Sequence, residues 1–208
     1  MKVLFIIITI FLSFSCNAED TKKIVKLEIK KNTIKKSDTL DIGYTYWWPA
    51  SGPFIGLCGE PYSLVFLGEL VNIEKSKKSE NSLYTSQKGK VEIKNIIVKK
   101  DLKKEKYNNE KFFTSNSFYD SKLKIGDKVI VFIYEYQGHF SIPGKDSIIK
   151  IDKFDSPIVN SIKKYIKSGQ NPLSIKDDIN LWTKYGFGKS LKEVIECQEH
   201  FLKKKQIK

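Results

Sequence analysis

The chain has 208 residues, and 37 basic against 24 acidic side chains give it a net charge of +13. Every basic residue is lysine, which lacks the planar fork that bidentate phosphate and base recognition uses; distributed over strands, loops and helices, the lysines describe a solvated surface and disfavour a nucleic-acid partner. At 40% hydrophobic and 12% aromatic the chain is not wholly disordered, and three cysteines with two histidines exclude a zinc-finger framework.

Met1-Lys2 is a short positive start, and Val3 to Phe14 is apolar except for Thr9 and Ser13. A run of about twelve residues at ~1.5 Å each is too short for a ~30 Å hydrocarbon core, so residues 1–15 read as a signal peptide. Leu12-Ser13-Phe14-Ser15-Cys16 resembles a bacterial lipobox. That resemblance implies that Cys16 becomes the lipidated first residue of the mature chain and holds it on a cell membrane or outer membrane. The alternative is cleavage after Ala18, which gives a periplasmic or secreted protein. Glu19-Asp20 resembles the surface-export tag of some lipoproteins. Residues 16–23 read as a tether. Export permits disulfides, and once Cys16 is set aside Cys58 and Cys197 form the disulfide candidate. Two separate buried thiols, or a reactive thiol, are the alternatives.

Residues 24–152 read as a β domain. From Lys23 to Ile34, Val25, Leu27 and Ile29 alternate with Lys26, Glu28 and Lys30, the pattern of a half-buried strand. Tyr44, Tyr46, Trp47, Trp48 and Phe54 follow in a Gly- and Pro-rich loop. Aromatic side chains at this density are a binding-surface candidate; the alternative is that they cap one open end of a barrel. Adjacent Trp47 and Trp48 point to opposite sides of an extended segment, which favours at least one outside a common core. Tyr62 to Ile73 is the strongest strand, and Gly68 inside it marks a bulge or bend. Glu74–Gly89 reads as a hairpin loop, Lys90–Lys99 as a strand, Asp101–Asn109 as a charged loop and Lys111–Tyr119 as a short strand. Leu123–Tyr136 holds a turn at Gly126-Asp127 and then a buried strand. Gln137–Gly144 is a hairpin region and Ser147–Asp152 a last strand.

Residues 153–208 read as three helices. Ser156-Pro157 starts the first, with Ile158, Val159, Ile162, Tyr165 and Ile166 in one stripe, and Gly169 ends it. Asn171-Pro172 starts the second, carrying Leu173, Ile175, Ile179 and Trp182, and Gly186 ends it. Ser190-Leu191-Lys192-Glu193 has the form of a capping box for the third, whose Leu191, Val194, Ile195, Phe201 and Leu202 share a face. The expected fold class is α+β, mainly β: an antiparallel barrel of five to six strands with a C-terminal three-helix appendage.

Three motifs carry a resemblance over residues 58–151. They are Ser63-Leu64-Val65-Phe66-Leu67-Gly68 after a cysteine, Val91-Glu92-Ile93, and Gly126-Asp127-Lys128-Val129-Ile130-Val131-Phe132. Together they resemble the OB folds of the netrin-module and tissue-inhibitor-of-metalloproteinase-like family, which implies a five-stranded Greek-key barrel. That family's zinc-chelating mechanism needs a cysteine with a free amine at the mature N-terminus. Cys58 is internal and a lipidated Cys16 is blocked, so the inhibitor mechanism does not carry over.

No G-x-S-x-G elbow, phosphate-binding glycine motif, acid/base pair or metal cluster is legible, so no catalytic residue, metal or cofactor is expected. His139 on a polar turn and His200 near a charged helix end read as solvated. The expectation is a non-enzymatic binding or interaction protein of the bacterial cell envelope. Its partners would be the membrane, through the lipid, and an envelope or extracellular protein or glycan. The alternatives are a thiol-dependent enzyme or redox protein using Cys58, and a secreted inhibitor or immunity-type protein.

Overall fold

The computed structural model describes residues 37–43, 51–78 and 85–206. The signal peptide, Cys16, the tether and the strand expected over 23–34 lie outside the described residues, as do Tyr44, Tyr46, Trp47 and Trp48. No helix among the described residues is long and apolar enough to cross a membrane.

The chain is α+β. Its strands are β1 (Thr39–Ile42), β2 (Leu64–Ile73), β3 (Lys77–Lys78), β4 (Thr85–Ser86), β5 (Gly89–Lys99), β6 (Phe112–Ser115), β7 (Lys128–Tyr136), β8 (His139–Ser141) and β9 (Ile148–Ile151). The helices are α1 (Pro157–Lys167), α2 (Ile179–Lys184) and α3 (Gly188–Gln206), with a 3-10 helix over Pro172–Asp178. The main sheet has the order β1-β6-β5-β2-β7-β8, and β9 also pairs with β7. It is mixed rather than antiparallel, because β1 lies parallel to β6, Leu40 opposite Phe113 and Ile42 opposite Ser115. Among the described residues its edges do not meet, so these pairings form an open sheet and not the expected closed barrel.

β2 and β7 sit at the centre because nearly every side chain in them is apolar, which suits strands buried on both faces. Alternation divides them cleanly. Val65, Leu67, Ile130, Phe132 and Tyr134 join the core under the helices. Leu64, Phe66, Val129, Val131 and Ile133 join a second core on the opposite face, closed by Val91, Phe113, Phe118 and Phe140. The bulge expected at Gly68 is present: the β2–β5 register shifts between Leu67 and Gly68. A Cβ on Gly68 would fall on the Val91 side chain and the Glu92 carbonyl oxygen, so only glycine lets β5 approach this closely.

The three helices form a layer on one sheet face and share its core. α1 follows Ser156-Pro157 and buries Ile158, Val159, Ser161, Ile162 and Tyr165. Asn171 caps the next segment, accepting from Leu173 N–H at 3.0 Å. The expected single second helix is instead a 3-10 helix joined to α2, because Ile175 leaves helical geometry at φ −118°. α3 starts one turn earlier than the capping box suggests: Leu191 N–H already bonds Phe187 C=O at 3.0 Å, with the Phe187 ring set edge-on to Trp182. Ser190 therefore lies inside the helix. Leu191, Val194 and Ile195 are buried as expected, but Phe201 and Leu202 are not.

Candidate functional site: the rim that mounts the aromatic segment

The chain leaves the sheet at Gly43, directly after β1, and the structure describes it again from Ser51. The strand that ends at Ile42 and the segment that begins at Ser51 are both held in place. Before the gap, Asp41 accepts from Thr114 Oγ1 at 2.8 Å and pairs with Lys88 at 3.4 Å, which holds β1 on its neighbours. After the gap, Ser51 Oγ donates to Asp146 Oδ2 at 2.7 Å and Gly52 N–H donates to Ser147 Oγ at 3.2 Å. Two buried tyrosines then hold the returning backbone: Tyr134 Oη donates to Gly52 C=O at 2.7 Å and Tyr62 Oη to Pro53 C=O at 2.6 Å. Gly52 has φ +115°, and a Cβ there would press on the Phe187 ring, so the close approach and the backbone angle both call for glycine. The β6–β7 connection brings Tyr119, 46% exposed, and Asp120 beside Lys145, which precedes Asp146. The Lys145 ammonium holds the Asp120 carboxyl below the ordinary carboxylate range.

Of the five expected surface aromatics, only Phe54 lies among the described residues. Phe54 belongs to the core rather than to a surface: it is 4% exposed, with its ring 4.7 Å from Trp182 and 5.9 Å from Tyr165, centre to centre. Its reading as a contact residue is corrected, because the turn that follows Gly52 drives it under the helices. Burial pushes the Tyr62 and Tyr134 hydroxyls well above the ordinary tyrosine range, so both stay neutral donors, and pushes Tyr165 up to about 12.

Cys58 and Cys197 stand at disulfide distance, Cα–Cα 5.2 Å across 139 residues of sequence. The pair ties the Ser51–Tyr62 loop to α3. Beside it lies a cleft of about 360 Å³ whose lining includes Cys58, Pro61, Tyr165, Gln170 and Gln198. Gln170 Oε1 is occupied there by Tyr62 N–H at 2.7 Å. His139 Nδ1 lies 3.7 Å from Glu105, and His139 and His200 are both exposed. Among the described residues no group of three or more His, Cys, Asp or Glu side chains could hold a metal ion.

Sequence reasoning missed β1 and the two tyrosine anchors. Thr39–Ile42 is too short to show a period, and a tyrosine in an apolar run gives no sign of what its hydroxyl will meet. No protein-family model matches the chain, and no curated protein matches it in sequence.

Proposed function

We propose that this chain is an exported, lipid-anchored binding protein of the bacterial cell envelope, without catalytic activity. Its contact surface is the aromatic segment Tyr44, Tyr46, Trp47 and Trp48. The observation that carries the reading is the mount: Ile42 before the segment is paired to Ser115 in the sheet, and Ser51-Gly52 after it is held by the Asp146, Ser147 and Tyr134 contacts. The core beneath the helices is furnished with aromatics from elsewhere, namely Phe54, Tyr62, Tyr134, Tyr165 and Trp182. Loops fixed at both ends on a scaffold commonly carry recognition, and Trp and Tyr dominate the energetics of such contacts. Cys16 attaches the chain to the membrane, and the partner is an envelope or extracellular protein or a glycan.

An OB-like reading of the sheet has support as well. The strands carrying the three family-like motifs lie side by side, β2 between β5 and β7. The Cys58–Cys197 approach favours a structural cross-link over a thiol nucleophile.

The test has two arms. Envelope material captured by the wild-type chain should fall by about tenfold or more for the Trp47→Ala/Trp48→Ala chain, with unchanged far-UV circular dichroism. Equal capture by both chains removes the aromatic surface. Labelled palmitate should enter the wild-type chain and not Cys16→Ser; label retained in the variant removes the anchor.

A further inference from the structure

We propose that the exposed tip of α3, together with Leu57, is a membrane-interface contact that seats the folded body on an anionic lipid surface. This contact uses the folded body and not the lipid on Cys16.

The argument begins with where α3 stops packing. The helix spans 19 residues, but its deeply buried side chains are Leu191, Val194 and Ile195, all in the first half. From Glu199 to Lys205 every residue is exposed. A helix end that leaves the protein ordinarily becomes polar, yet the apolar stripe continues: Phe201 is 51% exposed and Leu202 40%. Leu57, at 87%, is the most exposed large apolar side chain among the described residues. It belongs to the same corner, because Cys58 is held at disulfide distance from Cys197 and shares a cleft lining with Gln198. Phe201 and Leu202 follow Gln198 by three and four residues, one turn further on that side of the helix.

Charge selects the occupant. Along the body of α3 the lysines are balanced at i,i+4: Lys189 with Glu193 and Lys192 with Glu196, each at 3.8 Å. After Glu199 there is no acidic residue, and Lys203, Lys204 and Lys205 form the last turn. None of these three has a carboxylate within ion-pair distance among the described residues. Lys205 Nζ lies 4.8 Å over the Phe201 ring, so a lysine charge stands directly against the apolar patch. Apolar side chains ringed by lysine are what an interfacial helix presents to anionic headgroups. A second copy is a poor occupant, since it brings the same +13 and the same lysines.

The experiment uses the full chain with Cys16→Ser, which removes the lipid while keeping the apolar run Val3–Phe14 identical in every sample. Co-sedimentation is measured with phosphatidylcholine vesicles and with vesicles that are about a quarter phosphatidylglycerol. Binding should be several-fold stronger on the anionic vesicles and should weaken at high salt. The Leu57→Ser/Phe201→Ser/Leu202→Ser chain should bind the anionic vesicles about tenfold more weakly or worse. Replacing Lys203, Lys204 and Lys205 by Gln should abolish the preference for anionic lipid. Because all six side chains are exposed, the thermal midpoint should not move, and a variant that keeps it is folded. Equal binding by parent and variants overturns the proposal, as does equal binding to both vesicle types. A parent dimer in sedimentation equilibrium that the serine variant lacks would assign the patch to a second copy and overturn it too.

Discussion

At the residue scale, two hydroxyls hold the backbone at Gly52-Pro53. Tyr62 and Tyr134 are buried, and each gives its one proton to a backbone carbonyl of the returning loop, Pro53 and Gly52. Phenylalanine in either place would fill the same volume and leave a buried carbonyl without its donor. That loss costs about 1–3 kcal/mol. Tyr62→Phe should therefore lower the unfolding free energy by about 2 kcal/mol in a urea titration, at an unchanged m-value. A loss under a few tenths would mean that the hydroxyl does not hold the loop. The same burial gives a pH signature. These tyrosines have folded pKa values raised above the unfolded value near 10, Tyr165 to about 12. Their contribution is complete below about pH 10 and is lost as pH rises through the folded values, so the protein should weaken between about pH 10 and 12. Tyr62→Phe should flatten that decline.

At the element scale, the long apolar elements were legible in the sequence and the short or context-driven ones were not. β2, β5, β7, β9 and α1 all lie within five residues of their expected bounds, β5 and β9 within one, because a buried strand or an amphipathic helix writes its period into the chain. Gly68 announced its bulge for a local steric reason, the approach of Val91 and Glu92. β1 was hidden, since four residues paired to β6 owe their conformation to that neighbour. The open, mixed sheet was hidden for the same reason: closure and strand direction are tertiary facts. Ser190 misled because the form of a capping box does not show whether an earlier turn will be stabilised, here by Phe187 against Trp182. Phe201 and Leu202 continued the stripe of α3 beyond the body they were expected to cover. Of the candidate site, the sequence offered Tyr44, Tyr46, Trp47 and Trp48, which lie outside the described residues; it did not show the polar contacts that hold Ser51 and Gly52, nor that Phe54 turns inward. The Cys58–Cys197 pair was one of the readings that the sequence left open once Cys16 was set aside; the structure brings the two to disulfide distance, tying that loop to α3. A closed loop of 139 residues corresponds to about 5 kcal/mol in the chain-entropy account, less any local strain. Cys58→Ser/Cys197→Ser should lose about 3–5 kcal/mol in denaturant. Wild type unfolded under reductant should match the double variant. A wild-type chain whose midpoint ignores reductant would mean that the two sulfurs are not bonded.

At the scale of the whole molecule, the lysine surplus sets how the protein meets acid. Near neutral pH the 24 carboxylates partly offset the 37 lysines. As pH falls that offset disappears, and two placed carboxylates lose their partners as well. Burial alone would raise the Asp127 carboxyl, but the Lys150 ammonium at 2.6 Å and the Lys124 N–H at 2.9 Å outweigh it and hold the group below its ordinary value. Asp120 is lowered by Lys145. A carboxylate with a depressed folded pKa contributes fully above the unfolded value near 4, and the contribution is lost as pH falls through the folded one. Stability should thus be flat from about pH 6 to 8 and fall steeply below about pH 4. Two effects are superposed in that fall and can be separated. Repulsion among lysines is screened by salt, so the thermal midpoint at pH 3 should rise with added sodium chloride by several degrees more than it does at pH 7. The Asp127 contribution is local and partly sheltered, so salt should restore little of it. Asp127→Asn should cost about 1 kcal/mol at pH 7, through the weakened Lys150 and Lys124 contacts, and should make the acid branch shallower. If Asp127→Asn leaves both the neutral stability and the acid slope untouched, the acid sensitivity belongs to the lysine field alone, and the turn before β7 is held by its backbone bonds to β2.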